Sequence, residues 1–218
     1  VVDVALAPGE RWADRYREGF PDDVVVGVVG IPEADALVES EAPRERRVLY
    51  APTNHNYGEG SYLETADAVL DTFADTKFEL RFRPHPMDRI EEPGQSLTER
   101  CRERIADMDN VTFDERATPL ASMSRADLLV SDYSGIVAEW LHTDRPLVQL
   151  DAIAGEREVP RIGTVTDTPT IELVADLYEH GPPPDVERRR ERFRAELGIP
   201  TDGRASERAA AALESCTG

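Results

Sequence analysis

Short apolar runs and longer amphipathic stretches take turns along this chain. Val24 to Val29 is an unbroken apolar run, the pattern of a strand covered on both faces, and the Gly-Ile-Pro turn of "GIPEAD" ends it. The acidic, proline-bearing segment from Glu39 to Arg46 reads as a connector. "RVLYAP", Arg47 to Pro52, predicts the next strand, stopped by its proline, and the polar loop "TNHNYGEG" follows. Ser61 and Glu64 stand at capping-box spacing, which predicts a helix from there to about Ala74. "KFELRFRPHP" predicts a strand ending at Pro84, and a second box at Ser96 and Glu99 predicts a helix to about Met108. "NVTF" reads as a short strand, Thr118-Pro119 as a cap with proline at the first helical position, and "DLLVSD" as a strand. A helix after Gly135 and a strand at "RPLVQLD" complete the alternation. Beyond Thr170 the pattern is helical, interrupted by "GPPP" and "GIPTDGR", with "ERRRERFRAEL" expected as a solvated helical face. The chain carries no internal repeat and no low-complexity segment.

Strand, helix, strand, helix with apolar strands predicts an α/β fold, a doubly wound, Rossmann-like parallel sheet covered on both faces. Ligands of such sheets bind at the carboxyl ends of the strands, in the loops that start the helices. Three loops qualify: Thr53 to Gly60, Arg83 to Asp88, and Ser131 to Gly135. They hold most of the unusual polar residues of the chain.

In "SDYSG", Ser134 stands where it can cap the following helix, whose Ile136, Val137, Trp140 and Leu141 repeat at helical spacing. The same place, with Gly135 letting an anion approach the backbone, suits a phosphate. Cap and cradle are both open on the local pattern. "RFRPHP" alternates Arg81, Arg83 and His85 on one side while the strand lasts. An imidazole there can take a hydroxyl proton or face a phosphate, and Arg83 can grip phosphate oxygens bidentately. "APTNHNYGEGS" offers Thr53, Asn54, His55 and Asn56 as a polar loop able to touch a ligand, though its spacing fits neither a phosphate loop nor a dinucleotide fingerprint. His142 and His180 fall on expected helices as structural residues. No zinc spacing and no Ser-His-Asp set is present, and no carboxylate cluster points to a metal, so metal dependence is undetermined.

Composition narrows the class. Of the 218 residues 40% are hydrophobic, which suits a buried core, and no apolar run reaches the roughly 18 residues of a membrane span. Asp and Glu number 44 against 25 Lys and Arg, a net charge of -19, and Lys77 is the only lysine. Such a chain repels nucleic acid, which excludes that partner. Carboxylates scattered among well-patterned apolar segments, with lysine nearly absent, suggest a halophile, in whose molar salt self-repulsion is screened. Cys101 and Cys216 lie far apart without metal-spaced partners and read as reduced structural thiols. The opening "VVDVALAPGE" starts in mid-pattern, as a fragment would.

The order "LYAPT", "RPHP", "VSDYSGIVAEW", "RPLVQLD", "DGRASERAA" resembles the CDP-glycerol glycerophosphotransferases, the teichoic-acid polymerases and primases. "VVGIPEADAL", Val28 to Leu37, resembles the segment by which that family crosses between its two domains. The likeness runs from about Val25 to Ala212 and is specific in "HP" and "SDYS". It implies the C-terminal, nucleotide-binding half of a GT-B architecture, with residues 1–38 as the end of an N-terminal domain plus crossover and 39–218 as the Rossmann-like donor domain. It implies transfer of an alditol phosphate from a CDP-activated donor to a hydroxyl of a cell-surface polymer or glycolipid, with release of CMP. The enzyme would be cytoplasmic, peripheral on the inner face of the membrane. By similarity His85 acts on the acceptor hydroxyl or stabilises the phosphate, with Arg83 in support. Ser134 and the amides of Gly135 and Ile136 hold the pyrophosphate, Asp132 orients the turn, and Thr53, with Asn54 and His55, lines the donor site. Two departures stand out. The family has a second serine where Gly135 stands, and an aromatic and a basic residue after "APT", where this chain has His55 and Asn56. The family's other catalytic histidine lies in the N-terminal domain and has no counterpart here. Alternative readings are a GT-B glycosyltransferase or sugar-nucleotide epimerase, and a non-catalytic nucleotide-binding module.

Overall fold

The computed structural model describes residues 2–38, 40–57, 61–151 and 160–215. The chain opens with β1 (Val4–Ala7), α1 (Glu10–Gly19) and β2 (Val25–Val28), a small βαβ unit in which Val4 faces Val25 in parallel register. A 3-10 turn at Pro32–Ala34 and the short α2 (Asp35–Val38) lead to β3 (Arg47–Tyr50). Then come α3 (Tyr62–Phe73), β4 (Glu79–Phe82), α4 (Gly94–Ala106), β5 (Val111–Phe113), α5 (Pro119–Met123) and β6 (Leu128–Ser131). α6 (Gly135–Trp140), β7 (Leu147–Leu150) and β8 (Thr164–Thr166) complete the sheet, and α7 (Ile171–His180), α8 (Pro184–Leu197) and α9 (Ala205–Glu214) follow.

β3 to β8 form one parallel sheet in the order β5-β4-β3-β6-β7-β8. The period of two in the strands divides the core. Val48, Tyr50, Leu80, Phe82, Leu128 and Val130 pack against α3 and α4 through Val69, Leu70, Phe73, Leu97 and Cys101. Leu49, Ala51, Leu129 and Leu147 face the other way, onto Met123, Val137, Trp140, Phe193 and Leu197. β6 and β7 are buried at every position, so their sequences are mostly apolar rather than alternating, and their two polar residues, Ser131 and Gln149, are hydrogen-bonded inside. Each fully buried Leu or Phe here contributes roughly 1.5–3 kcal/mol of apolar burial. Trp140 is enclosed completely, and its indole N–H is satisfied by the carbonyls of Arg145 and Pro146, each at 3.2 Å.

Several local expectations are corrected. β2 is not covered on both faces: it is an edge strand with β1 as its single neighbour, and Val25 is 55% exposed. Ser61 precedes α3 but does not cap it, because its hydroxyl is drawn to Asp132 Oδ2 at 2.8 Å. α4 begins at Gly94, so Ser96 lies inside it and donates to Glu92 Oε1 rather than capping. Thr118 stands at the N-terminus of α5 without a side-chain cap bond, with Pro119 at the first position as expected. α8 is not solvated all round, since Val186, Arg190, Phe193 and Leu197 make a buried stripe. Within it Arg190 donates to the carbonyls of Arg145 and Thr143, both at 2.9 Å, and burial pushes its pKa down to about 10. β1, α1 and β8 have no counterpart among the expected elements. His142 lies in the turn beyond α6 rather than on a helix, and His180 is the last residue of α7. Cys101 is a buried free thiol whose pKa burial raises to about 11, while Cys216 lies outside the described residues.

Candidate active site

β3 and β6 lie side by side at the centre of the sheet, and the strands after them run to opposite edges. At such a switch point the two connections diverge and open a crevice at the carboxyl ends. The loop after β3 and the loop after β6 meet there through Asp132. Its fully buried carboxylate accepts from Thr53 N at 2.9 Å, Thr53 Oγ1 at 2.6 Å, Ser61 N at 3.1 Å and Ser61 Oγ at 2.8 Å. Ser131 Oγ adds a bond to the carbonyl of Ala51 at 2.7 Å. Asp132 thus joins the two loops from beneath, with both carboxylate oxygens engaged.

Ser134 is the residue before α6, yet its side chain makes no cap bond. Its hydroxyl lies 3.4 Å from Ser131 Oγ. The cap reading is therefore not realised, and among the described residues the amides of Gly135 and Ile136 have no hydrogen-bond partner. α6 has only six residues, so these local amides matter more than a macrodipole. A Cβ placed on Gly135 would meet nothing within 4 Å.

His85 follows the end of β4. The Met87 amide donates to its Nδ1 at 3.2 Å, so the neutral ring carries its proton on Nε2. Burial lowers the His85 pKa below the ordinary histidine value, against an opposing pull from Asp88. Asn54 is 5% exposed, and its Oδ1 accepts from Asn56 N at 2.9 Å, which leaves the amide –NH2 as the free donor.

Thr53, Asn54, His85, Ser134 and Gly135 all line one cavity of about 440 Å³. The remaining residues proposed from sequence do not. Arg83 is buried behind the His85 loop, donating to the Arg116 carbonyl at 3.0 Å and lying 3.5 Å from Asp114 Oδ2. Asp114 also takes the Ser122 hydroxyl, and these bonds help hold its own pKa below the carboxylate range despite burial. Arg89 clamps the same loop by donating to the carbonyls of Pro84 and Asp114, both at 3.1 Å. His55 turns away from the cavity: its Nδ1 is 2.5 Å from the buried Asp88 Oδ1 and its Nε2 3.0 Å from the Glu92 carbonyl. Gly94 makes room for that pair, since a Cβ there would lie 2.5 Å from Asp88 Oδ1. The Ile136 side chain packs against the core.

The rest of the lining was not foreseen: Trp12, Tyr133, Val137, Ala138, Ile162, Phe193 and Leu197. A second cavity, of about 420 Å³, lies at the amino-terminal ends of β6 and β7. There the Asp127 carboxylate is taken by the amides of Arg44, Glu45 and Arg47, and the Arg145 guanidinium by backbone carbonyls and Ser40. Those bonds hold loops together. Among the described residues no three His, Cys, Asp or Glu side chains gather as metal ligands.

A family model described as CDP-glycerol:poly(glycerophosphate) glycerophosphotransferase matches residues 3–152. No curated protein sequence matches. Among solved structures, the wall teichoic acid polymerase TagF superposes with a TM-score of 0.63 at 14% identity, over 99% of this chain and 58% of that one. A TagF variant soaked with CDPG gives 0.64 at 15% identity, with the same coverage. The S. aureus MnaA–UDP co-structure gives 0.53 at 18% identity, over 98% of this chain and 59% of that one. The chain spans about three-fifths of the length of these proteins. At such identities the likeness establishes the fold, a GT-B-type parallel α/β sheet.

Proposed function

The chain belongs to the CDP-glycerol:poly(glycerophosphate) glycerophosphotransferase family, and on that premise we propose that its cavity binds a CDP-activated alditol and supports transfer of the alditol phosphate to a hydroxyl of a cell-surface polymer or glycolipid. One observation carries the reading. Two unpartnered amides, the Asn54 amide group, the Ser134 hydroxyl and the Nε2–H of His85 belong to the same rim of the sheet, and four of the residues that bear them line one cavity. All are hydrogen-bond donors, none is a carboxylate, and in a chain of net charge -19 a carboxylate-free rim is a selective feature. A pyrophosphate supplies the acceptors these donors lack.

In the transfer, the acceptor oxygen forms a bond to the phosphorus that carries the alditol. The bridging P–O bond breaks, its electron pair goes to the departing CMP, and the hydroxyl proton leaves to a base. Phosphoryl transfer depends chiefly on positioning and on stabilising charge over the phosphate oxygens. His85 suits the second of these. With Nδ1 engaged by the Met87 amide it donates through Nε2 and has no lone pair free for a hydroxyl proton. Of its two sequence-based roles, phosphate stabilisation is thus favoured. On this reading the base is a group other than His85. Arg83 and Asp132 would act by holding the two loops in place. The proposed setting is the cytoplasmic face of the cell membrane, and among the described residues no helix is long and apolar enough to cross one.

A thermal-shift panel of CDP-glycerol, CDP-ribitol, CMP and UDP-sugars in molar salt tests this. A ligand at a hundred times its Kd stabilises by about 2.7 kcal/mol. The CDP-alditols and CMP are expected to raise Tm and the UDP-sugars to leave it unchanged, and His85→Gln is expected to abolish most of the CDP-alditol shift. A response to UDP-sugars alone would move the protein to the nucleotide-sugar enzymes.

A further inference from the structure

The cavity lining has two parts of different chemistry. The strand-end loops contribute the donors described above, whereas Trp12, Ile162, Phe193 and Leu197 are apolar. Three of those four come from α1 and α8. Trp12 is set there by a tight joint. A Cβ on Gly9 would lie 2.4 Å from the Leu197 carbonyl oxygen, and one on Gly198 would lie 2.9 Å from Glu10 Cβ. Glu10 N also donates to the Gly198 carbonyl at 3.3 Å. Two glycines thus press the start of α1 onto the end of α8, and the indole stands one turn further on. Trp12 is half-buried, and among the described residues its N–H has no hydrogen-bond partner, unlike that of Trp140.

We propose that Trp12 is a specificity-determining residue that packs its indole against the alditol end of the donor. The inference rests on the donor reading above. Once phosphate oxygens occupy the rim donors, the group against the apolar lining is one joined to the pyrophosphate. A nucleobase edge needs both donors and acceptors, whereas among Trp12, Ile162, Phe193 and Leu197 the indole N–H is the one side-chain polar group, the Tyr133 hydroxyl belonging to the loop after β6. An alditol asks for less: its C–H groups lie on an indole face, and a hydroxyl oxygen accepts from the N–H. Trp12 comes from the unit before the crossover, so the first thirty residues take part in choosing what the six-stranded sheet binds.

The test compares CDP-glycerol and CMP by calorimetry on the wild-type chain, Trp12→Ala and Trp12→Phe. The expected result for Trp12→Ala is a loss of about tenfold in CDP-glycerol affinity, with CMP changed less than about twofold. Trp12→Phe should recover most of the loss. If CMP weakens as much as CDP-glycerol, the indole holds the nucleoside and the proposal is wrong. If neither weakens, Trp12 is packing alone and the proposal is equally wrong. A wild-type chain that binds neither ligand removes the donor reading and this inference with it. Should Trp12→Ala fail to fold, wild-type fluorescence decides. The chain has two tryptophans, and Trp140 is fully buried away from the cavity. CDP-glycerol should therefore change the emission where CMP does not, and equal changes would overturn the proposal.

Discussion

At the scale of single residues, the protonation of His85 follows from a backbone contact, the Met87 amide on Nδ1. Its pKa, lowered first by burial, has a stability consequence. The folded value lies below the unfolded one of about 6.5, so between the two the unfolded chain binds the extra proton. Stability is therefore lost as pH drops through about 6.5 and levels off below the folded value. The same sign holds for His142, also lowered first by burial. Thermal melts from pH 8 to 5 should show a decline that His85→Gln and His142→Gln each reduce, and an unchanged slope in both variants would rule the linkage out. Gly135 carries a different expectation. Open space at its Cβ predicts that Gly135→Ser folds normally and adds a hydroxyl at the mouth of the cradle, raising donor affinity by a few-fold. Chemical type and position at a strand end made Thr53, Asn54, His85, Ser134 and Gly135 legible in the sequence. Arg83 and His55 were misleading for one reason: both have buried acids, Asp114 and Asp88, that lie 31 and 33 residues further along, and no local pattern reveals such a partner.

At the scale of elements, β3 and β6 were the most legible, because burial at nearly every position leaves an apolar run that needs no partner to be recognised, whereas the half-buried β1 and β8 were missed. Helix starts were legible to within a few residues, but their caps were not. Ser61 has the right spacing and yet serves Asp132, a residue 71 positions away, since a hydroxyl donating to a buried carboxylate makes a stronger bond than one accepting from a helix amide. α1 escaped notice because its apolar face is thin: Ala13 is its one buried residue. The Asp132 clasp is itself testable. Asp132→Ala would leave four donors of Thr53 and Ser61 without their acceptor, those of Ser61 fully buried. The expected loss is about 3 kcal/mol or more, read by urea unfolding. Asp132→Asn, which keeps one acceptor oxygen, should lose less. Equal stability of all three chains would mean the loops are held by something else.

At the scale of the whole molecule, charge is the dominant fact. Forty-four carboxylates against 25 basic side chains leave a net -19 on 218 residues. Burial removes charge of both signs from the surface, Arg83, Arg145 and Arg190 on one side and Asp88, Asp114, Asp127 and Asp132 on the other, so the exposed imbalance stays close to the total. The Debye length shrinks from about 10 Å at 0.1 M to 3 Å at 1 M. Raising KCl from 0.1 to 2 M should therefore raise Tm, most steeply in the first half of the range, and a flat response would remove electrostatic self-repulsion as a term in stability. The opening unit and the sheet also share their fate through the last helix. Asp35, in the crossover, caps α9 by accepting from Ala205 N at 2.9 Å and Ser206 N at 2.7 Å, and Arg208 donates to the Val29 carbonyl at 2.8 Å. These bonds join residues 170 to 179 positions apart. During synthesis Val29 and Asp35 therefore wait for partners made 170 to 179 residues later, and this corner of the molecule closes only once residues 205–208 can reach it.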